Sequence, residues 1–360
     1  MMKPMYIVSA SAISPQQSFK REEFLKPVIT SDKGRLDIVD AEYSKYINPV
    51  AIRRMSKMLK MGISTAMECL QQAGVACPDA IITGTGLGSM LDMERFLKDM
   101  IQLNEEALNP TFFIQSTYNS INGWIALQTK CTGYNQTFVH RGLSPELSLL
   151  DAQLLLTEEE EKKYVLAGCF DEMTDEYFFI KNKIGYWKKN FPDSLDLLKH
   201  SDTPGTIAGE GAAFFLLSND KENAGSVVKA IKTFQDPEIS EVQKAIHRLM
   251  HEQGLNIGDI DTVLCGMNGD SRQQGVYDMA IAELPDATIV TFKQLTGEYP
   301  TSSGFALWLA DHIFKTQQIP AETIYRQGKN SAVKYMLIVN HYVLGSVSVM
   351  LVAEPGFGEI

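Results

Sequence analysis

The chain contains few cysteines for its length and no paired cysteine motif. Its five cysteines, among 360 residues, are an odd number and show no C-x-x-C spacing. This usage argues against a disulfide framework and a structural zinc site, and it is typical of a reducing compartment. We therefore expect a cytoplasmic protein without a metal site or a cofactor.

Long apolar runs are also missing. None approaches the roughly 20 residues that a helix needs to cross a bilayer. Near the N-terminus Lys3 precedes an apolar segment, but that segment, Met5 to Val8, is shorter than the roughly 7 to 15 residues of a signal-peptide core. We expect a first buried strand there and no membrane association.

Positive charge is scarce relative to negative charge. Lysine and arginine number 33 against 44 aspartates and glutamates, which gives a formal net charge of -11. This balance argues against general nucleic-acid binding, because such proteins need a basic face to displace the counterions of phosphates. The 44% hydrophobic share is that of a globular protein, and 360 residues are enough to bury a large core.

Strand and helix signals alternate along the chain in two similar series. A long helix is predicted from Ile52 to Ala73, because apolar residues recur every three or four positions and Gly74 follows. The first series has strands at 5–10, 80–83, 136–139 and 164–167 and a closing apolar segment at 209–218. The second has strands at 227–234, 262–266, 287–292, 335–340 and 346–353 and helices at 241–252 and 304–313. We predict an α/β protein with two similar halves, 1–220 and 221–360.

Three motifs have ordinary structural interpretations. The GTGLG stretch at 84–88 follows a predicted strand, but G-x-G-x-G is not the dinucleotide spacing, so a tight turn is favoured. The run Glu158 to Glu161 points in several directions on a helix and is expected to be solvated. His247 and His251 have the i, i+4 spacing of metal ligands but lack the H-E-x-x-H glutamate, so we predict no metal site.

The segment Gly133 to Ala152, GYNQTFVHRGLSPELSLLDA, has the plan of a nucleophile turn. An apolar strand breaks at a small residue and resumes as a helix, which is how enzymes mount a nucleophile. No obvious nucleophile stands at the turn. Ser144 lies in GLSPE and not in G-x-S-x-G, so we predict that it caps the helix, with Glu146 favouring the helix dipole.

Fragments spread over nearly the whole chain resemble the β-ketoacyl synthases of the thiolase fold. They are LNPTFFIQSTYNSINGWIALQTKCTGYNQTF, AGCFDE at 167–172, AGEGAAFFLL at 208–217, FKQLTGEYPTSSG at 292–304 and NHYVLGS at 340–346. The resemblance implies a thiolase-like fold, with two similar α/β halves in a layered αβαβα core. In that family a cysteine takes an acyl chain from a carrier protein, and two histidines help to decarboxylate a malonyl thioester.

The resemblance places the family's catalytic positions on residues that cannot perform its chemistry. The cysteine falls on Gly142, and the two histidines fall on Asn268 and Glu298. Glycine has no side chain to acylate, and neither an amide nor a carboxylate does the work of a neutral imidazole near neutral pH. The resemblance therefore implies that no catalytic residue is intact.

Four further positions are carried over as lining of the former pocket. The family's two pantetheine-binding threonines fall on Asp270 and Arg272. Its gating phenylalanine falls on Leu344, and the lysine before its TGH motif is retained as Lys293. The resemblance thus implies that the pantetheine contacts are also changed.

His140 and Arg141 stand beside the lost nucleophile and are interpreted as the filling of a retired active site. They complete the set of pocket-lining candidates. We expect Arg141 to pair with Glu298 across the old pocket, because a guanidinium facing a carboxylate would neutralise the cavity.

Three functions are left open. The first is a non-catalytic subunit of the chain-length-factor type, which the resemblance implies forms a homo- or heterodimer, with an active ketosynthase and an acyl carrier protein as partners in fatty acid, polyketide or aryl-polyene biosynthesis. The second is an active acyltransferase or 3-oxoacyl synthase that uses Cys169, Cys265 or Glu298 in another arrangement. The third is a stand-alone binder of acyl carrier protein or lipid. Buried inert thiols are commoner than reactive ones, which favours the first.

Overall fold

The chain folds into strands and helices that largely alternate along the sequence. The computed structural model describes residues 2–21, 23–189, 193–330, 332–343 and 345–356. The strands are β1 Met5–Ile13, β2 Ala80–Gly84, β3 Tyr134–Phe138, β4 Tyr164–Asp171, β5 Gly211–Ser218, β6 Ser226–Gln235, β7 Thr262–Cys265, β8 Thr288–Thr291, β9 Ile324–Arg326, β10 Tyr335–Tyr342 and β11 Ser346–Ala353. The helices are α1 Pro49–Ile52, α2 Lys57–Ala73, α3 Met90–Gln102, α4 Pro110–Ser116, α5 Ser120–Thr129, α6 Ser144–Glu158, α7 Asp175–Lys183, α8 Ile239–Glu252, α9 Gln274–Glu283, α10 Lys293–Thr296 and α11 Ser302–Thr316.

The strands follow one hydrogen-bonded order, β3-β2-β4-β5-β1-β6-β11-β10-β7-β8-β9. In the first half β3, β2 and β4 are parallel, and β5 and β1 continue antiparallel. In the second half β8, β7 and β10 are parallel, and β11 and β6 continue antiparallel. The halves therefore repeat one arrangement and meet where β1 pairs with β6. The predicted α/β class with two similar halves is confirmed, and the boundary at residue 220 stays a prediction.

Side chains alternate between the two faces of each central strand and build separate cores. On β5, Phe215 and Leu217 enter a central core, whereas Phe214 and Leu216 enter an outer one. The central core contains residues of α6 and α11 and of both halves of the sheet. The outer cores pack against α2 and α5 on one side and against α8 and α9 on the other. Both halves of the sheet thus face α6 and α11 on their inner side and other helices on their outer side. This gives five layers that alternate helix and sheet, in agreement with an αβαβα core.

The predicted helix from Ile52 to Ala73 is two helices. Ile52 ends the short α1, and α2 begins at Lys57 because the Ser56 hydroxyl accepts a hydrogen bond from the Leu59 amide at 3.4 Å. The apolar spacing continues across this break, so the spacing alone does not indicate that a new helix begins after Ser56. The predicted end is correct, because Gly74 takes the left-handed conformation, at φ 68°, that closes a helix.

Candidate functional site

The turn between β3 and α6 is tied to the loop that follows β2. Residues Arg141–Leu143 form one tight turn before the helix begins at Ser144. The Ser144 hydroxyl accepts from the His140 amide at 2.7 Å and donates to the Thr85 carbonyl at 2.9 Å. Its predicted role as the helix cap is therefore wrong. The hydroxyl is used to hold two loops together and does not bond to the first amides of α6.

Gly142, to which the resemblance assigns the nucleophile, has no room for a side chain. A Cβ added there would lie 2.4 Å from the Cβ of Tyr342 and 2.5 Å from its Cδ1. Tyr342 ends β10 and is buried, with 5% of its surface exposed. An aromatic side chain from the second half thus occupies the space above the turn, and glycine is required there by close packing.

Asn268 and Glu298, to which the resemblance assigns the two histidines, meet in a buried polar cluster. Lys293 Nζ lies 2.8 Å from Glu298 Oε2, and both side chains are almost completely buried. Asn268 Nδ2 donates to the same carboxylate oxygen at 2.6 Å and to Gln273 Oε1 at 3.0 Å. Lys293 and Asn268 therefore share one oxygen of Glu298 as acceptor, while the other carboxylate oxygen, Oε1, is buried without a hydrogen-bond partner among the described residues.

Lys293 and Glu298 each favour the charged form of the other, against the effect of burial. Burial lowers the pKa of Lys293, while the facing Glu298 carboxylate opposes that shift. Burial likewise raises the pKa of Glu298, and Lys293 and Asn268 oppose it by favouring the carboxylate. Since Glu298 is engaged by two donors and sealed from water, it is poorly placed to act as a general base.

Glu146 lies in the first turn of α6, as predicted, and is also a buried acid. Its side chain is fully buried and accepts from the Ser348 hydroxyl at 2.7 Å, a contact that was not predicted. Burial raises the pKa of Glu146, and Lys293 opposes this shift through its charge. The partner lies on β11, so no local pattern could have revealed it.

Asp270 and Arg272, to which the resemblance assigns the pantetheine-binding threonines, form an ion pair. Arg272 Nε donates to Asp270 Oδ1 at 2.9 Å, and Nη2 lies 2.5 Å from Oδ2. The aspartate side chain is buried, whereas about half of the arginine side chain is exposed, at 51%. Burial works against ionisation of Asp270, but the bonds from Arg272 lower its pKa. The two side chains thus form an ion pair that is partly exposed to solvent.

His140 and Arg141 do not fill the former active site, and that interpretation is wrong. Both side chains are exposed and line a surface groove together with Val139, Gln235, Val343 and Ser346. The expected pair between Arg141 and Glu298 is also wrong, because within the described chain no ion pair joins them and Glu298 is bound to Lys293 instead. The interior is filled by Tyr342, and Leu344 lies outside the described residues.

The glycine-rich loop after β2 binds a carboxylate of the chain itself. Asp171 Oδ1 accepts from the Gly86 and Leu87 amides at 3.1 and 2.8 Å and from the Thr85 hydroxyl at 2.9 Å. Burial raises the pKa of Asp171 to about 6, against these bonds. The loop amides that a phosphate would need are therefore already used, which supports the predicted tight turn.

The remaining chemical candidates are engaged or inert. Cys169 and Cys265 are buried, and burial raises the pKa of both thiols, for Cys265 to about 12. His247 contacts Glu283 at 2.7 Å on the surface. Over the described ranges, no group of three or more metal-binding side chains comes together. Nor is any described helix long and apolar enough to span a membrane.

Solved structures share this fold over almost the full chain. The ishigamide ketosynthase/chain length factor superposes with a TM-score of 0.80 at 14% identity, covering 99% of this chain and 100% of that chain. A β-ketoacyl synthase from Burkholderia phymatum STM815 gives a TM-score of 0.76 at 12% identity, covering 98% and 100%. The structure of a type II PKS acyl-carrier protein in complex with its ketosynthase gives a TM-score of 0.72 at 14% identity, covering 98% of this chain and 100% of that chain. The chain therefore has the thiolase-like fold of the ketosynthases.

The family of the chain follows from a match between its sequence and a family profile. The family profile for the N-terminal domain of β-ketoacyl synthase matches residues 35–254, which is more than half of the chain. The chain belongs to the β-ketoacyl synthase family, as the fragments in the sequence predicted. A search of curated proteins found no match.

Proposed function

We propose that the chain is a non-catalytic subunit of the chain-length-factor type, which forms a dimer with an active ketosynthase. In this role it supports fatty acid, polyketide or aryl-polyene-type biosynthesis on an acyl carrier protein. The observation that carries the proposal is the occupied space above Gly142, where the family's cysteine would stand. A chain that cannot hold the acyl thioester contributes by completing its partner's dimer.

The buried cluster supports the same proposal. Decarboxylation in this family needs two imidazoles, and here Asn268 and Glu298 bind one another and Lys293 in a closed network. Such a network excludes water and substrate, since each of the three side chains is about 1% exposed or less. The former catalytic positions therefore serve packing and stability.

The sheet edge at β3 is the surface best suited to a partner. β3 ends the strand order, and residues 134–136 are exposed. Helix α5 packs beside β3, and α4 packs on α5. The two helices expose large apolar side chains, namely Phe113, Ile114, Trp124 and Leu127. Open strand edges and large apolar patches are normally covered by another chain. Whether that chain is an identical copy or a ketosynthase is an outcome of the experiment.

The alternative of an acyltransferase with a different arrangement has little support. Cys169 and Cys265 are buried thiols with raised pKa values, and Glu298 is held by Lys293. The stand-alone binder would use the same apolar surface as the proposed dimer. The stand-alone binder and the dimer subunit differ in whether a ketosynthase co-purifies with the chain.

Co-expression with a ketosynthase that has its cysteine and two histidines in place, taken from a neighbouring reading frame where one encodes it, tests the proposal when followed by intact-mass analysis. We expect the two chains to co-purify and, after incubation with acyl-loaded carrier protein, an acyl adduct on the partner's cysteine only. A partner variant with that cysteine changed to alanine is the control and should carry no adduct. An acyl adduct on this chain would refute the non-catalytic role. Retention of carrier protein without any ketosynthase would support the stand-alone binder instead.

A further inference from the structure

Two of the cysteines lie together at the surface, although the sequence separates them widely. Cys77 stands between α2 and β2, and Cys131 stands between α5 and β3. Their thiols share one acceptor, the Pro78 carbonyl, at 3.5 Å from Cys77 Sγ and 3.2 Å from Cys131 Sγ. Both sulfurs therefore lie beside the same oxygen atom.

The strand register explains this meeting. β2 and β3 are parallel neighbours, and Ala80 pairs with Tyr134. Cys77 precedes Ala80 by three residues and Cys131 precedes Tyr134 by three, so the two cysteines lie at matching positions in the segments that lead into paired strands. Neighbouring strands lie about 4.8 Å apart, which is within the Cα separation of about 4.4 to 6.8 Å found across disulfides.

Accessibility separates this pair from the other cysteines. Cys77 is exposed and Cys131 is half-buried, whereas Cys69, Cys169 and Cys265 are buried. A small oxidant can therefore reach the pair and not the other three. In a reducing compartment, disulfides that do form are usually transient and redox-sensing.

We propose that Cys77 and Cys131 form a reversible disulfide when the protein meets a peroxide, a modification site independent of the proposed subunit role. One thiolate attacks hydrogen peroxide, so that an S–O bond forms, the O–O bond breaks, and water leaves once the hydroxide is protonated. The second thiol attacks the resulting sulfenic sulfur, so that the S–S bond forms and a second water leaves. Two thiols are oxidised by two electrons, and one peroxide is reduced to two waters.

The disulfide would join the segments that lead into β2 and into the edge strand β3. A dithiol reductant reverses the reaction by thiol–disulfide exchange, in which the protein disulfide is reduced and the reductant is oxidised to its own disulfide. Partial burial and the neighbouring Cys131 raise the pKa of the Cys77 thiol. Because the thiolate is the nucleophile, we expect the reaction to accelerate from about pH 7 to about pH 9.

The test is peroxide treatment of the folded full chain, followed by denaturation, alkylation and mass spectrometry. We expect a mass loss of about 2 Da, three alkylated cysteines in place of five, and one cross-linked peptide pair that contains Cys77 and Cys131. Dithiothreitol should restore all five sites. Stepwise over-oxidation of Cys77 without a bridge, or disulfides only between separate molecules, would overturn the proposal.

Single variants provide the matched controls. Cys77→Ser and Cys131→Ser should each abolish the mass loss, while the three buried cysteines act as internal references in the same sample. Both changes lie outside helices and strands, and melting curves would confirm that the variants fold. A bridge that persists in either variant, formed by other cysteines, contradicts the assignment. The peptide map of the unaltered chain decides the question even where a variant fails to fold.

Discussion

At the scale of single residues, Gly142 and Tyr342 share a space that one side chain can occupy. Gly142→Cys would place a Cβ within 2.6 Å of three Tyr342 atoms. Overpacking of this kind costs about 1–3 kcal/mol of unfolding free energy. We expect a loss of that size in urea denaturation and no gain of acylation by carrier protein.

Gly123→Ala is the matched control for that substitution. Gly123 lies in α5, and an added Cβ there has no heavy atom within 4 Å. Alanine in a helix should stabilise the chain by up to about 1 kcal/mol, because glycine loses more backbone entropy on folding. Tyr342→Ala should relieve part of the cost of Gly142→Cys. Equal stability of Gly142→Cys and the unaltered chain would contradict the conclusion that Tyr342 fills the space above Gly142.

Glu172 is a single residue that makes stability depend on pH. It follows β4, is buried, and accepts from the Leu91 amide at 2.9 Å. Burial raises its pKa from 4.5 to about 7. The folded state thus binds the proton more tightly than the unfolded state, and this group's contribution to stability is present below pH 4.5 and is lost as pH rises to about 7.

Glu172→Gln removes that titration and keeps an oxygen acceptor for Leu91. Relative to the unaltered chain, we expect the variant to gain up to about 3 kcal/mol of unfolding free energy above pH 7, because each pKa unit is worth about 1.4 kcal/mol. Below about pH 4.5 this gain should vanish. The measurement is urea denaturation of both proteins across this pH range. A difference that does not change with pH would contradict the raised pKa.

At the scale of elements, the Lys293–Glu298 pair connects α10 to the loop that precedes α11. Both side chains are buried, at 0% and 1% exposure, so each charge depends on the other. Removing one partner of a buried pair costs about 3–5 kcal/mol, because the remaining charge is left uncompensated. We expect such losses for Lys293→Met and for Glu298→Gln in denaturant unfolding.

The double variant tests whether the two charges act together. Lys293→Met with Glu298→Gln should lose much less stability than the sum of the single changes. The exposed pair of Lys98 and Glu176, at 2.7 Å, provides the comparison, and Glu176→Gln should alter stability far less. Additive losses at Lys293 and Glu298 would show that the pair is not coupled.

The strands could be predicted from sequence because their signal is local. The apolar runs at β5 and β11 need only their own residues to indicate buried strands. The start of α2 was missed because apolar spacing continues past Ser56, and only the cap marks the break. The error at α2 is therefore one of boundaries, as expected when two signals overlap. The short strand β9 and the helices α3, α7 and α9 were not predicted.

The site was less predictable, because its contacts join distant parts of the chain. Positions 142, 268 and 298 were identified through the family's motifs, whereas Tyr342 above Gly142 and Ser348 beside Glu146 come from the other half of the sheet. Arg141 was assigned to Glu298 on charge alone. The structure pairs Glu298 with Lys293, a neighbour on the adjoining helix, and leaves Arg141 at the surface.

At the scale of the whole molecule, the two ends of the sheet differ in what they expose. The β3 end has Leu127 on the neighbouring α5, with 77% of its surface exposed. The opposite end is the three-residue strand β9, where Tyr325 is 51% exposed. If the β3 end carries the dimer interface, a charge placed there must be desolvated on association, which costs several kcal/mol unless it is paired.

Leu127→Asp should therefore weaken association with the ketosynthase, or with a second copy, by about tenfold or more, since tenfold corresponds to only about 1.4 kcal/mol. Sedimentation velocity across a concentration series measures this change. Tyr325→Asp adds the same charge at the far edge of the sheet and should leave association unchanged. Equal weakening by both variants would indicate a general effect of charge. Weakening by Tyr325→Asp alone would place the interface at β9 and refute the assignment to β3.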